Sequence, residues 1–204
     1  MLVEEAKRSR RPEYARALFI TATTGVRRAE VCALRRRRDI DWDRGVMTVT
    51  WSILALPRQP LREIPTKNRR ARPVALDEAL AALREQVEFL RERGTQAGVE
   101  LAEDAYLFSD AADGSVPWKP DAITRYFDRL RRRVGLPEVD FHHLRKFMET
   151  YGQNLGFSAV QVALRAGHDP SVAAKHYTGS VAEADRALAK AVAALLVEPP
   201  TKDG

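Results

Sequence analysis

Cysteine is nearly absent from this chain, and so is any long apolar run. The one cysteine among its 204 residues is Cys32, which excludes an internal disulfide and favours a reducing compartment. Cys32 lies between Val31 and Leu34 in an apolar-periodic segment, so we expect a buried, structural thiol. No stretch of about 18 apolar residues occurs, and the charged N-terminus is unlike a signal peptide. We therefore expect a cytoplasmic protein that does not contact membranes.

Positive charge is in excess and is unevenly distributed. Lys and Arg number 34 against 28 Asp and Glu, a net charge of +6. Arginines concentrate in three clusters, which are 27–28 with 35–38, then 69, 70 and 72, then 131–133. The planar, permanently charged guanidinium suits phosphate oxygens, so the clusters favour a polyanionic partner. The overall charge alone would also fit a merely solvated surface.

Hydrophobic periodicity predicts a mainly α fold with a small antiparallel β-sheet, in one domain. Helices are predicted over 13–22, 26–36, 77–93 (capped by Asp77), 121–134, 141–155, 158–166, 170–177 and 181–197. A β-branched run at 46–51 predicts a strand, and 62–65 and 72–76 predict two more. The basic loop between the last two strands places Lys67 at a hairpin tip.

Four short segments carry residues suited to a phosphodiester. They contain Arg27 after a helix-breaking Gly25, Lys67, His142 with Arg145, and His168 followed nine residues later by Tyr177. The i,i+3 spacing puts His142 and Arg145 on one helical face. A charged imidazole and a guanidinium repel each other, so a shared anion explains the pair better than stability does. Each feature alone also has a structural explanation, such as a solvated lysine or a core tyrosine.

The ordered set of segments resembles the tyrosine recombinase (phage integrase) family. The run Thr24-Gly25-Val26-Arg27-Arg28-Ala29-Glu30 fits the family's TGxR-x-x-E pattern, and Lys67, His142 with Arg145, Gly167-His168 and Tyr177 follow in the family's order. The likeness spans about 14–197. Departures are minor: Ala166 replaces the usual Leu, and His143 and Lys146 stand where Asp and His are common.

The resemblance implies the catalytic-domain fold of these DNA breaking and rejoining enzymes, and it implies residue roles. The catalytic residues would be Arg27, Lys67, His142, Arg145, His168 and the nucleophile Tyr177. The DNA-binding residues would be Arg28, Arg69, Arg70 and Arg72. Arg27, Arg145 and His168 would bind the scissile phosphate, with His142 as base and Lys67 as acid. The resemblance also implies chemistry without metal, cofactor or ATP, and the lack of a carboxylate cluster spaced for Mg²⁺ in the sequence is consistent with metal-free chemistry.

The resemblance also implies an organisation and partners. We expect 1–12 to be a tail or linker from a missing N-terminal core-binding domain, 13–180 to be the catalytic domain and 181–204 to be a C-terminal helix with a frayed end. Double-stranded DNA would be the substrate, in the nucleoid of a bacterium or phage-infected cell. Other copies of the chain would join a tetramer on DNA, with a monomer in its absence. The C-terminal helix could dock on a neighbouring protomer or pack on its own chain, which we favour without DNA.

Two alternatives remain open on the sequence. A type IB topoisomerase shares the Tyr, Arg and Lys chemistry but only relaxes supercoils. A non-catalytic DNA-binding module would use the arginine clusters for phosphates and keep Tyr177 as a structural residue. The arrangement of His168 and Tyr177 favours the recombinase.

Overall fold

Helices form most of the chain that the computed structural model describes, namely residues 5–6, 8–66, 71–168 and 181–197, with the side chains of 185–194 in the last range. The helices are α1 Pro12–Thr24, α2 Arg28–Ala33, α3 Glu78–Gln96, α4 Pro120–Arg133, α5 His142–Asn154, α6 Ala159–Ala166 and α7 Val181–Val197. Their positions confirm the mainly α prediction. The predicted helix over 170–177 lies outside the described residues. No helix within the described ranges has the length and apolar character needed to span a membrane.

Helix α1 is the central helix, and it packs against α3 and α5. It begins with Pro12, whose fixed φ suits the first helical turn. It ends at Gly25, which adopts φ 69° and donates its amide hydrogen to the Thr21 carbonyl at 2.9 Å. The positive φ favours glycine there, and a Cβ at Gly25 would lie 2.3 Å from the end of the Met148 side chain, which would have to move. This tight turn brings Arg27, at the start of α2, next to α5.

The strands pair differently from the predicted hairpin. They are β1 Ile40–Asp41, β2 Val46–Val49, β3 Trp51–Leu54, β4 Arg62–Pro65 and β5 Arg72–Ala75. Strand β4 is antiparallel to β3, whereas β5 is antiparallel to β2, which also pairs with β1. Thus β4 and β5 do not form the hairpin with Lys67 at its tip, and that prediction is wrong. Lys67 itself lies outside the described residues.

The β2–β5 pair and the β3–β4 pair follow one another along the chain segment that runs from β2 to β3. Arg72 lies opposite Val49, and the amide of Thr66 donates to the carbonyl of Thr50 at 2.9 Å. In sequence, residues 67–71 are therefore inserted between two segments that pair with one continuous run, β2 to β3. Strand pairing depends on long-range register rather than on local periodicity, which is why the sequence pattern did not predict it.

The apolar core is built around α1. The Tyr14 ring stacks on Trp118 at 4.3 Å and on Tyr126 at 4.4 Å between ring centroids. Cys32 is fully buried and burial raises its pKa, which confirms the prediction of a structural thiol. The predicted cap by Asp77 is wrong: its φ is 44° and its side chain makes no capping hydrogen bond.

Helix α7 packs on its own chain, against α1, α3, α5, α6 and β5. Leu188 and Val192 are fully buried there. The buried Arg165 of α6 forms an ion pair with Asp185 at 2.6 Å and donates to the Thr23 carbonyl at 2.9 Å. Asp185 also accepts the amide hydrogen of Ala75 at 2.5 Å. The start of α7 is thus bound to α6 and β5 by polar contacts, and Arg165 links α6 to α1.

Candidate active site

Arg145 is the anchored centre of the candidate site. It lies in the first turn of α5 and is only 2% exposed. Its Nη1 donates to the Gly25 carbonyl at 2.6 Å, so the backbone of the α1–α2 turn fixes the guanidinium. Burial, together with the charges of Arg27 and Arg72, lowers the pKa of Arg145 to about 10. Arg145 therefore stays charged at neutral pH.

His168 and Glu149 complete a triangle with Arg145. Gly167 ends α6 with φ 72° and leads directly into His168. The His168 Nε2 lies 3.2 Å from Arg145 Nη2 and 2.9 Å from Glu149 Oε1. The same Glu149 oxygen lies 3.0 Å from Arg145 Nε. The three side chains thus meet at a single point between α5 and the end of α6.

Glu30 holds a second pair of cations next to this triangle. It accepts from the Arg27 amide at 2.8 Å and from Arg27 Nη1 at 2.9 Å, and from Arg72 Nη2 at 2.9 Å. Glu30 is buried, whereas the Arg27 side chain is 42% exposed. The Arg72 guanidinium lies against Gly167, where an added Cβ would be 2.5 Å from Nη1. Glu30 therefore positions both arginines, and Arg27 faces solvent.

A cavity of about 350 Å³ opens beside Arg27 and Arg145. Its lining consists of Thr21, Val26, Arg27, Arg28, Thr124, Asp140, Phe141, His142 and Arg145. Three predicted catalytic residues, Arg27, His142 and Arg145, share this cavity, and His168 contacts Arg145. His142 is exposed at the start of α5. The neighbouring His143 pairs instead with Asp140 at 2.8 Å.

The described part of the site is suited to an anion. Three arginines face two carboxylates, Glu30 and Glu149, which leaves positive charge available to a ligand. Burial reduces the screening of these charges by water, so a bound phosphate would interact with them strongly. In the part of the chain that the structure describes, no group of three or more His, Cys, Asp or Glu side chains could hold a metal ion.

The remaining predicted site residues have different outcomes. Arg28 pairs with Asp121 at 3.2 Å and donates to Thr124 at 2.6 Å, and the Arg72 side chain is only 12% exposed. Their contact with DNA stays a prediction, as do the catalytic roles. Four further predicted residues lie outside the described part of the chain: Lys67, Arg69, Arg70 and Tyr177.

The arginine cluster at 35–38 has a largely structural role that its sequence did not indicate. Arg35 and Arg38 both pair with Glu63, at 3.3 and 3.1 Å, and Arg38 also pairs with Asp39 at 3.0 Å. These ion pairs join the segment after α2 to strand β4. The pairing was missed because Glu63 is remote in sequence.

Glu149 is the residue that sequence reasoning missed. It contacts both Arg145 and His168, yet no motif drew attention to it. One signal was available: Glu149 follows Arg145 at i,i+4, the spacing at which helical side chains meet. The spacing predicts an ion pair, but only the fold shows that His168 joins it.

Fold and site together define a mainly α domain with a cluster of arginines suited to an anion. The sequence matches the model of the phage integrase family over residues 1–183. The chain therefore belongs to the phage integrase family, which confirms the resemblance that its motifs indicated. No curated protein matches the sequence.

Solved structures with the same fold agree with this assignment. The integrase of transposon Tn1549, in complex with a circular intermediate DNA, has a TM-score of 0.69 at 17% identity, over 91% of this chain and 61% of that one. XerA recombinase has a TM-score of 0.54 at 21% identity, over 98% and 62%. Lambda integrase bound to a core site has 0.51 at 19%, over 88% and 58%. This chain thus spans about three fifths of the chains it matches, and its described part has the tyrosine recombinase catalytic fold.

Proposed function

We propose that this chain is the catalytic domain of a site-specific recombinase, which cleaves and rejoins DNA through a covalent 3′-phosphotyrosyl bond to Tyr177. The observation that carries the proposal is the meeting of Arg27, Arg145 and His168, which are far apart in sequence, around one cationic site. Family membership supports the same activity, and it favours a recombinase over a type IB topoisomerase.

The phosphate would bind at the described cations. A phosphodiester carries one negative charge and gains more on its non-bridging oxygens during in-line attack. Arg145, held by the Gly25 carbonyl, and Arg27, held by Glu30, would be oriented before DNA arrives. Loss of one such preorganised donor typically lowers the rate by about 10²–10³.

The proton transfers are assigned by family resemblance. The Tyr177 oxygen would attack phosphorus and pass its proton to His142, while the bond from phosphorus to the 5′-oxygen breaks. Lys67 would protonate that leaving oxygen. A tyrosine hydroxyl with an ordinary pKa near ~10 is a weak nucleophile at neutral pH, so a nearby base is needed. A 5′-hydroxyl from another strand would reverse the step without ATP, since the bond energy is kept in the phosphotyrosyl link.

The substrate and assembly follow from the same proposal. Double-stranded DNA would be bound through sequence-independent phosphate contacts, at the nucleoid of a bacterial or phage-infected cell. Strand exchange needs two duplexes, and hence more than one copy of the chain on DNA; we propose a tetramer there and a monomer in its absence. The Tn1549 and lambda integrases in the comparison are themselves bound to DNA.

A nicked suicide substrate tests the activity. The nick lets the 5′ product diffuse away, so cleavage should leave an SDS-stable protein–DNA band whose attachment maps to Tyr177. Tyr177→Phe should abolish the band because it removes the nucleophilic oxygen, while DNA binding is retained. Tyr151→Phe is the matched control, since Tyr151 is exposed on α5 and its ring contacts that of Phe147 at a tilted angle. It should form the adduct as the wild type does.

Two other outcomes would replace the proposal. Binding without any adduct would identify a non-catalytic DNA-binding module. An adduct together with relaxation of a plasmid, but no strand exchange between partner sites, would favour a topoisomerase.

A further inference from the structure

Glu149 lies where a bound phosphate would be expected to interact. Its Oε1 is 2.9 Å from His168 Nε2 and 3.0 Å from Arg145 Nε. These are two of the groups assigned to the phosphate under the proposed function, and a carboxylate oxygen carries the same kind of charge as a phosphate oxygen. The Glu149 side chain is 25% exposed, so it can move toward solvent without leaving a buried cavity.

The contacts of His168 allow its Nε2 to bind only one anion at a time, either Glu149 or a phosphate. Its Nε2 faces both the Nη2 donor of Arg145, at 3.2 Å, and the acceptor Oε1 of Glu149, at 2.9 Å. A ring nitrogen either carries a proton or offers a lone pair, so it bonds to only one of them at a time. When Nε2 carries the proton, the carboxylate occupies the hydrogen bond that a phosphate oxygen would take.

We infer that Glu149 is an internal competitor for the scissile phosphate, which holds Arg145 and His168 in place without DNA and has to be displaced when DNA binds. This inference rests on the proposed function. Displacement of Glu149 costs binding free energy, because its contacts with Arg145 and His168 are lost. Only a phosphate placed to contact both Arg145 and His168 compensates for them. Glu149 is therefore a specificity-determining residue that weakens binding of poorly placed DNA.

The competitor also contributes to stability. Arg145 is almost completely buried, and the positive charges of Arg27 and Arg72 lie close to it. Removal of the Glu149 charge should therefore destabilise the free protein while it strengthens DNA binding. A purely structural residue would instead lower both properties, so the opposite signs distinguish the two roles.

The test compares Glu149→Gln with the wild type by fluorescence anisotropy on a labelled duplex of random sequence. We expect the dissociation constant to fall about five- to tenfold, because one competing charge contact is removed. The thermal midpoint should fall in the same variant. At saturating DNA, the rate of adduct formation should change less than the affinity, because the carboxylate is already displaced in the bound state.

Glu88→Gln is the matched control, since Glu88 pairs with Arg91 at i,i+3 on α3 and the same charge is lost. Its affinity should change less than about twofold. Glu149→Asp keeps the charge and should bind DNA more weakly than Glu149→Gln. A folded Glu149→Gln that binds DNA no more tightly than the wild type would overturn the inference.

A second measurement does not depend on the folding of any variant. In wild-type protein with ¹⁵N-labelled histidine, DNA addition should change the Nε2 resonance of His168 as phosphate replaces Glu149, and an unchanged resonance in the bound state would overturn the inference. The two hypotheses fail separately. Absence of a Tyr177 adduct overturns the proposed activity, whereas the affinity comparison and the His168 resonance decide the role of Glu149.

Discussion

At the scale of single residues, the site depends on carboxylates that orient arginines. Glu30 is the clearest example, because it binds Arg27 through two contacts and Arg72 through two more. Burial alone would raise the pKa of Glu30, but Arg72 and Arg27 together hold it below its ordinary value. The ionisation of Glu30 is therefore coupled to folding, because the contacts that keep it charged exist only in the folded protein.

This coupling gives a prediction for pH. The folded protein holds the Glu30 proton less tightly than the unfolded chain. The ionised Glu30 therefore stabilises the fold at pH values above the ordinary pKa of glutamate, and this stabilisation depends on pH. It is lost as pH falls through the lower folded value. Glu30→Gln should cost about 3 kcal/mol of unfolding free energy at neutral pH, because two arginines lose a buried partner. Urea unfolding at a series of pH values measures both quantities.

The difference between wild type and Glu30→Gln should become smaller as the solution is acidified. A constant difference from neutral to acid pH would contradict the assignment of this effect to the ionised carboxylate. Asp128→Asn is a suitable control, because Asp128 pairs with Arg131 on the surface of α4 and such pairs contribute little.

At the scale of elements, helices could be predicted from the sequence more completely than strand pairing. The 3.6-residue apolar spacing indicated α3, α4, α5 and α6 close to their observed bounds. The pairing of β4 with β3 and of β5 with β2 was not predicted, because it depends on long-range register rather than on the local sequence. The polar contacts of α7 were also missed, because nothing in the local sequence relates Arg165 to Asp185.

The Arg165–Asp185 pair gives a prediction at this scale. Arg165 has a fully buried side chain, and its partner lies at the start of α7. Asp185→Ala should destabilise the protein by about 3 kcal/mol, since it leaves a buried charge without its partner. Amide exchange of α7 should accelerate, because the helix loses its link to α6 and β5.

A double variant tests whether the charge causes the effect. Arg165→Met with Asp185→Ala removes the buried charge as well, so it should be more stable than Asp185→Ala alone. Equal stability of the single and double variants would show that the loss comes from packing or from the bond to the Ala75 amide.

At the scale of the whole molecule, the number of arginines overstates the number of cations available to DNA. Arg38 is shared by Asp39 and Glu63, so its charge is already neutralised inside the protein. Arg27 shares the single charge of Glu30 with Arg72, so positive charge remains there. The sequence predicted the residues that meet in the site, but it could not show which other arginines are paired, since pairing depends on the fold.

Salt dependence of DNA binding measures this difference. Each phosphate contact contributes about 0.9 to the slope of log affinity against log salt concentration. Arg27→Gln should lower the slope by about 1, whereas Arg38→Gln should leave it nearly unchanged. Anisotropy titrations at several salt concentrations provide both slopes. An equal reduction in the two variants would mean that Arg38 contacts DNA.

The acceptor that holds Arg145 is a main-chain oxygen, that of Gly25. No exchange of one side chain for another can delete a carbonyl, so this anchor is protected from the commonest kind of genetic change. Its direction can be altered only through the backbone, where a φ of 69° favours glycine and the end of the Met148 side chain lies where a Cβ would be. Substitutions at Gly25 should therefore misdirect an arginine that is 120 positions away in the chain without touching it.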